Sequence, residues 1–114
     1  MADTLFAKIA SGEIPADILY EDEHLVAFRD ISPQAPTHIL VIPRKPIPTL
    51  NDAGPEDAEL LGKLLLAAAK VAELAGIAEA GYRTVINCNA AAGQTVFHLH
   101  LHVLGGRPMQ WPPG

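Results

Sequence analysis

The chain has 114 residues, 49% of them hydrophobic and 18% charged, with a net charge of −5 and a single cysteine, Cys88. This is one domain's worth of core, which excludes a two-domain architecture and a disordered chain; the acid excess without a basic run excludes a nucleic-acid footprint, and one cysteine excludes an internal disulfide. Met1-Ala2-Asp3-Thr4 lacks the basic, apolar character of a secretory signal and the longest apolar run, Leu64 to Ala69, is far short of the ~20 residues of a membrane span, so a cytoplasmic protein with no membrane partner is expected.

Asp3 and Thr4 can each cap a helix, and Leu5 to Ala10, closed by Ser11-Gly12, is predicted as a short one with Leu5, Phe6 and Ile9 sharing a face. Ile18 to Tyr20 and Leu25 to Phe28, parted by the acidic turn Glu21-Asp22-Glu23, read as a hairpin. Pro33 and Pro36 make the stretch from Asp30 to Thr37 an ordered turn, after which His38 to Ile42 is a strand closed by Pro43. Pro46 and Pro48 keep the next connection extended, and Pro55 suits the first turn of a long helix over Glu56 to Ala75. Its apolar residues, among them Leu60, Leu61, Leu64, Leu65, Ala68, Val71 and Ala72, recur at helical spacing, and Gly76 is its stop. Strands are predicted over Tyr82 to Asn87 and Thr95 to Leu104, joined by a loop of small residues from Cys88 to Gly93. The expectation is a single α+β domain over 1-114, with an antiparallel sheet and 105-114 as a C-terminal tail.

Three of the five histidines, His98, His100 and His102, alternate with Leu99, Leu101 and Val103. On a strand this lines the imidazoles along one face, neighbours ~6.6–6.8 Å apart, and the apolar residues along the other. An imidazole face costs burial energy that leucine or valine would not, so the pattern points to chemistry. Two kinds compete. Alternating histidines can hold zinc with a water left open for catalysis. A neutral imidazole can instead attack phosphorus and carry a covalent nucleotidyl group. Asn87, Gly93, Gln94 and Thr95 precede the triad: amides, a hydroxyl and a glycine at which backbone N–H groups can approach an oxyanion, a set that suits a phosphate. Val103-Leu104-Gly105-Gly106 offers neither the carboxylate nor the later histidine that a zinc set would want.

His98-Leu99-His100-Leu101-His102-Val103-Leu104 resembles the signature of the histidine triad (HIT) family. Asp30 to His38, Gly93-Gln94, Leu104 to Arg107 and the closing Trp111-Pro112-Pro113-Gly114 resemble its histidine-triad nucleotide-binding (HINT) branch, so the likeness runs the whole length. It implies a HIT-like fold, with a five-stranded antiparallel sheet and one short and one long helix. It also implies hydrolysis of purine nucleoside 5′-phosphoramidates, with His100 as the nucleophile, His98 and His102 flanking the phosphate, and His38 as the accessory histidine of a proton relay. Thr95 stands where the family commonly has serine, a hydroxyl for the leaving group or a phosphate oxygen. Asn87, Gly93 and Gln94 would lie at the phosphate, Asp30 would accept from the ribose hydroxyls, and Leu5, Phe6, Ile9, Phe28 and Ile31 would wall the purine. Arg29 and Pro46 stand where relatives carry histidine, which bears on substrate preference, Arg29 at the rim of the base pocket. No metal or other cofactor is implied. The family is usually a homodimer joined through the long helix and a sheet edge, its tail, here with Trp111, reaching toward the partner's site. A nucleotide-binding regulatory protein with vestigial hydrolysis is the alternative, and the complete set of triad, Thr95 and His38 speaks against it.

Overall fold

The computed structural model describes residues 4–114, so Asp3, one of the two predicted caps, lies outside the described residues. Thr4 serves as the cap, its hydroxyl accepting from the Ala7 N–H at 3.0 Å, and helix α1 spans Leu5–Ser11. Gly12 ends it in the left-handed region at φ 85°, which costs glycine no Cβ clash.

The strands are β1 (Ile18–Glu21), β2 (Leu25–Arg29), β3 (Thr37–Pro43), β4 (Tyr82–Val85) and β5 (Leu101–Gly105), and helix α2 spans Ala58–Leu74 behind a 3-10 turn at Pro55–Asp57. They form one sheet in the order β1-β2-β3-β5-β4, antiparallel at every pairing. Among the described residues no helix is long and apolar enough to cross a membrane.

The central strands are covered on both faces, which explains their nearly unbroken apolar sequences. Leu25, Ala27, Ile39, Val41, Leu101 and Val103 pack with Leu64, Ala68, Val71 and Ala72 of α2. Val26, Phe28, Leu40 and Ile42 point the other way, onto Phe6, Ile9 and Ala10 of α1. In register, Phe28 lies opposite Leu40 and Leu40 opposite His102, so these three form a row across the α1 face of the sheet.

The predicted last strand is shortened at its start. β5 begins at Leu101 and residues 96–98 bend, so of the triad only His102 lies within a strand. Two long-range bonds hold the preceding segment off the sheet: the Leu99 N–H donates to the Ile47 carbonyl at 2.7 Å, and the buried Gln94 amide donates to the Pro48 carbonyl at 2.9 Å. The same amide also donates locally to the Val96 carbonyl. Gln94 Oε1 also accepts from the Asn89 N–H at 2.8 Å.

Asn89 sits at φ 68°, ψ −179°, a region used almost only by glycine. Asn89→Gly is therefore expected to raise stability by about 1 kcal/mol, the relieved strain exceeding the added chain entropy of glycine. Urea unfolding of the two proteins measures this, and a lower midpoint for the variant would contradict it.

Candidate active site

A cavity of about 330 Å³ opens between α1 and that sheet row. Leu5, Phe6 and Ile9 of α1 form one wall, Ile14-Pro15-Ala16 a second, and Phe28 and Leu40 the sheet side, while Arg29, Asp30 and Ile31 continue from the end of β2. Ile31 is 95% exposed, so it lies at the rim. Thr95, Val96, His100 and His102 complete the lining. Phe6 stands edge-on to both Phe28 and His100, with centroids 5.6 and 4.9 Å away, which fixes the nucleophile candidate's ring against an apolar wall.

Backbone groups set the proton positions of the four clustered imidazoles. The Gln34 N–H donates to His38 Nδ1 at 3.0 Å, so the neutral ring carries its proton on Nε2. That N–H faces His102 Nδ1 at 2.8 Å, which places the His102 proton on Nε2. His102 Nε2 is buried and has no hydrogen-bond partner among the described residues. It is a donor held ready at the cavity lining. His100 Nδ1–H donates to the His98 carbonyl at 2.7 Å, which leaves Nε2 its lone pair. His98, 1% exposed, donates from Nε2 to the Pro43 carbonyl at 2.7 Å and does not line the cavity. Its ring anchors the bent segment, and its carbonyl orients His100.

Burial favours the neutral form of all four rings. Desolvation lowers the pKa of His38, His98 and His100, and takes His102 to about 4, where the neighbouring His100 and His38 add to the effect. The Asp30 carboxylate opposes this at His38, His100 and His102. Each ring thus binds its proton more weakly folded than unfolded, so acidification through the ordinary imidazole value of ~6.5 loads the unfolded chain first and stability falls. The thermal midpoint is expected to drop between about pH 6.5 and 5, above the carboxylate range. A flat midpoint across that window would contradict it.

The other residues singled out by sequence are distributed differently. Asn87 follows β4, half-buried, and does not line the cavity. The N–H groups of Gly93 and Gln94 are spent on the carbonyls of Ala90 and Asn89, and the Gln94 side chain on the loop bonds given above. Trp111 is 81% exposed, outside the cavity, with the Arg83 guanidinium 5.8 Å from its ring centroid. Leu40, Val96 and the Ile14-Pro15-Ala16 wall were missed. Leu40 had a signal, since it stands two residues beyond His38 on one strand and so shares its face. The backbone groups of Gln34 and Pro43 had none. Asp30, His38 and His102 bring three donor atoms within 4.8 Å of one another, but the two ring nitrogens are already bonded together, as in a proton path.

A family model described as the HIT domain matches residues 11–109. The chain belongs to the HIT family. Among curated relatives, this HIT chain is 56% identical over 107 residues to the purine nucleoside phosphoramidase of Escherichia coli, covering 94% of the chain and 90% of the relative. It is 60% identical over 112 residues to an uncharacterized HIT-like protein of Synechocystis sp., covering 98% and 97%. Its structure matches that of a HIT family hydrolase from Legionella pneumophila Philadelphia 1 with a TM-score of 0.95 at 56% identity, covering 98% of this chain and all of the other. The five-stranded antiparallel sheet with one short and one long helix is thus the HIT-like fold expected from the sequence.

Proposed function

We propose that the protein is a purine nucleoside phosphoramidase, which cleaves the P–N bond of adenosine or guanosine 5′-phosphoramidates to release AMP or GMP and an amine. One observation carries the reading: His100 Nε2, with a free lone pair, and His102 Nε2–H, without an acceptor, meet at the lining of an apolar cavity suited to a purine. Similarity to the E. coli phosphoramidase supports it.

His100 Nε2 attacks the α-phosphorus, and the amine leaves with the P–N electron pair and a proton from His102. Water then attacks the nucleotidyl-imidazole and restores the enzyme. Asp30 accepts from the ribose hydroxyls, Thr95 donates to a phosphate oxygen or the leaving group, and Phe6, Ile9, Phe28 and Ile31 enclose the base. An apolar pocket reads a purine by shape, so adenine and guanine should both be accepted.

The active form in this reading is a homodimer. Leu65, Leu66 and Leu74 of α2 are exposed, and β4 is an edge strand with an open row of backbone groups. Trp111 would be covered by the partner.

The test is release of AMP from adenosine 5′-phosphoramidate with a metal chelator present. Turnover is expected to persist under chelation. Loss on chelation would replace the covalent mechanism with a metal-dependent one, and tight AMP binding without turnover would leave the regulatory nucleotide binder.

A further inference from the structure

Resting on the phosphoramidase reading, we infer that Asp30 is also the counterion of the His38–His102 pair, so that one carboxylate serves both ribose recognition and proton delivery. The neutral pair cannot deliver a net proton. If His102 gives up the proton on Nε2 and draws one onto Nδ1 from His38, then His38 is left an imidazolate, because its Nδ1 faces the Gln34 N–H. The pair must therefore hold a third proton when the P–N bond breaks, taken from solvent as the anionic substrate binds.

That proton puts an N–H on both of the facing nitrogens, which stand 2.8 Å apart, and one of the two needs another acceptor. Asp30 supplies it. Asp30 Oδ2 lies 3.5 Å from His38 Nε2, and Asp30, His38 and His102 each bring a donor atom within 4.8 Å of the other two. The carboxylate is held in place: Oδ1 accepts from the Ser32 N–H at 2.8 Å, and the Asp30 N–H donates to the His38 carbonyl at 2.9 Å. Its side chain is 19% exposed and borders the cavity, where a ribose hydroxyl can reach it.

The other groups around the pair do not replace it. His100, from the segment before β5, supplies no negative charge and can only disfavour positive charge on His102. The β4 residue opposite His102 is Val85, and its neighbour Thr84 is uncharged. Arg29 is paired with Asp17 at 3.5 Å, and Arg107 bonds the Gln34 carbonyl.

The proton balance closes. The charged pair gives the His102 Nε2 proton to the departing amine and becomes neutral, with His102 protonated on Nδ1 and bare on Nε2. That nitrogen accepts the proton of the attacking water in the second half, and the pair returns its extra proton to solvent with the product. Asp30 thus acts on the chemistry through the histidines, as a positioning residue.

Asp30→Asn keeps the oxygen that accepts from the Ser32 N–H and puts an amide NH2, able to donate to a ribose hydroxyl, in place of Oδ2, while removing the charge. It is expected to lower kcat at least about tenfold and to shift the alkaline limb of kcat to lower pH by about one unit or more. The wild-type protein acting on the 2′,3′-dideoxy substrate should show a higher KM with the limb unmoved. If Asp30→Asn raises KM alone, Asp30 is a ribose contact only and the inference is overturned. NMR titration of the His38 and His102 rings, free and with AMP, decides the matter independently of turnover. The variant should lower the pH at which the pair charges, and an unmoved titration overturns the inference. Failure of the phosphoramidase reading would show separately, as absence of turnover by the wild-type protein.

Discussion

His100→Ala is expected to lower AMP release from adenosine 5′-phosphoramidate by at least about 10³-fold while leaving AMP binding measurable, because it removes the atom that attacks phosphorus. The pocket outlives the change: Leu5, Ile9, Phe28 and Leu40 stay in place, and His98 remains anchored on Pro43. The loss should therefore fall mainly on kcat. The His98 carbonyl gives up its His100 donor, and the edge of Phe6 loses its neighbour, so a lower unfolding midpoint is also expected. A variant that binds AMP but retains wild-type turnover would remove His100 from the mechanism.

His102→Ala tests the other half of the site. As the proton donor to the leaving group, His102 should contribute ~10²–10⁴-fold when that group is an alkylamine, which cannot leave unprotonated. For a weakly basic aromatic amine, which departs more readily, the loss should shrink to about tenfold or less. Comparing the two leaving groups in wild type and variant separates proton donation from simple packing. Equal losses for both would mean that His102 only shapes the site or contacts the phosphate. The same reasoning makes His38→Ala milder than His102→Ala, since His38 touches the reaction only through His102 Nδ1.

The fold was largely readable because its elements have clear periods. Leu64, Ala68, Val71 and Ala72 recur at helical spacing and do form the buried face of α2, and Leu99, Leu101 and Val103 do reach the core beneath it. The strict alternation of the triad, however, implied a regular strand from Thr95, whereas the chain bends at 96–98. The cause lies far off in sequence, at the carbonyls of Ile47 and Pro48, which no local pattern records.

The site shows the same division. Which side chains gather was legible: Thr95, His100 and His102 meet with Phe6, Ile9 and Asp30 around one cavity. What sets their chemistry was not. The choice of protonated nitrogen on His38 and His102 depends on one backbone N–H, at Gln34, and the orientation of His100 depends on the carbonyl of His98. Backbone groups carry no residue signature, so His98 reads as a phosphate neighbour in sequence, while in the structure it is a buried anchor on Pro43.

The central claim is the covalent nucleotidyl-His100 intermediate, and the stereochemical course at phosphorus tests it most directly. A phosphoramidothioate of known configuration, hydrolysed in isotopically labelled water, gives a chiral product whose configuration can be read. Two successive in-line displacements, by His100 and then by water, predict net retention. Net inversion would mean that water attacks the substrate directly, and would contradict the account.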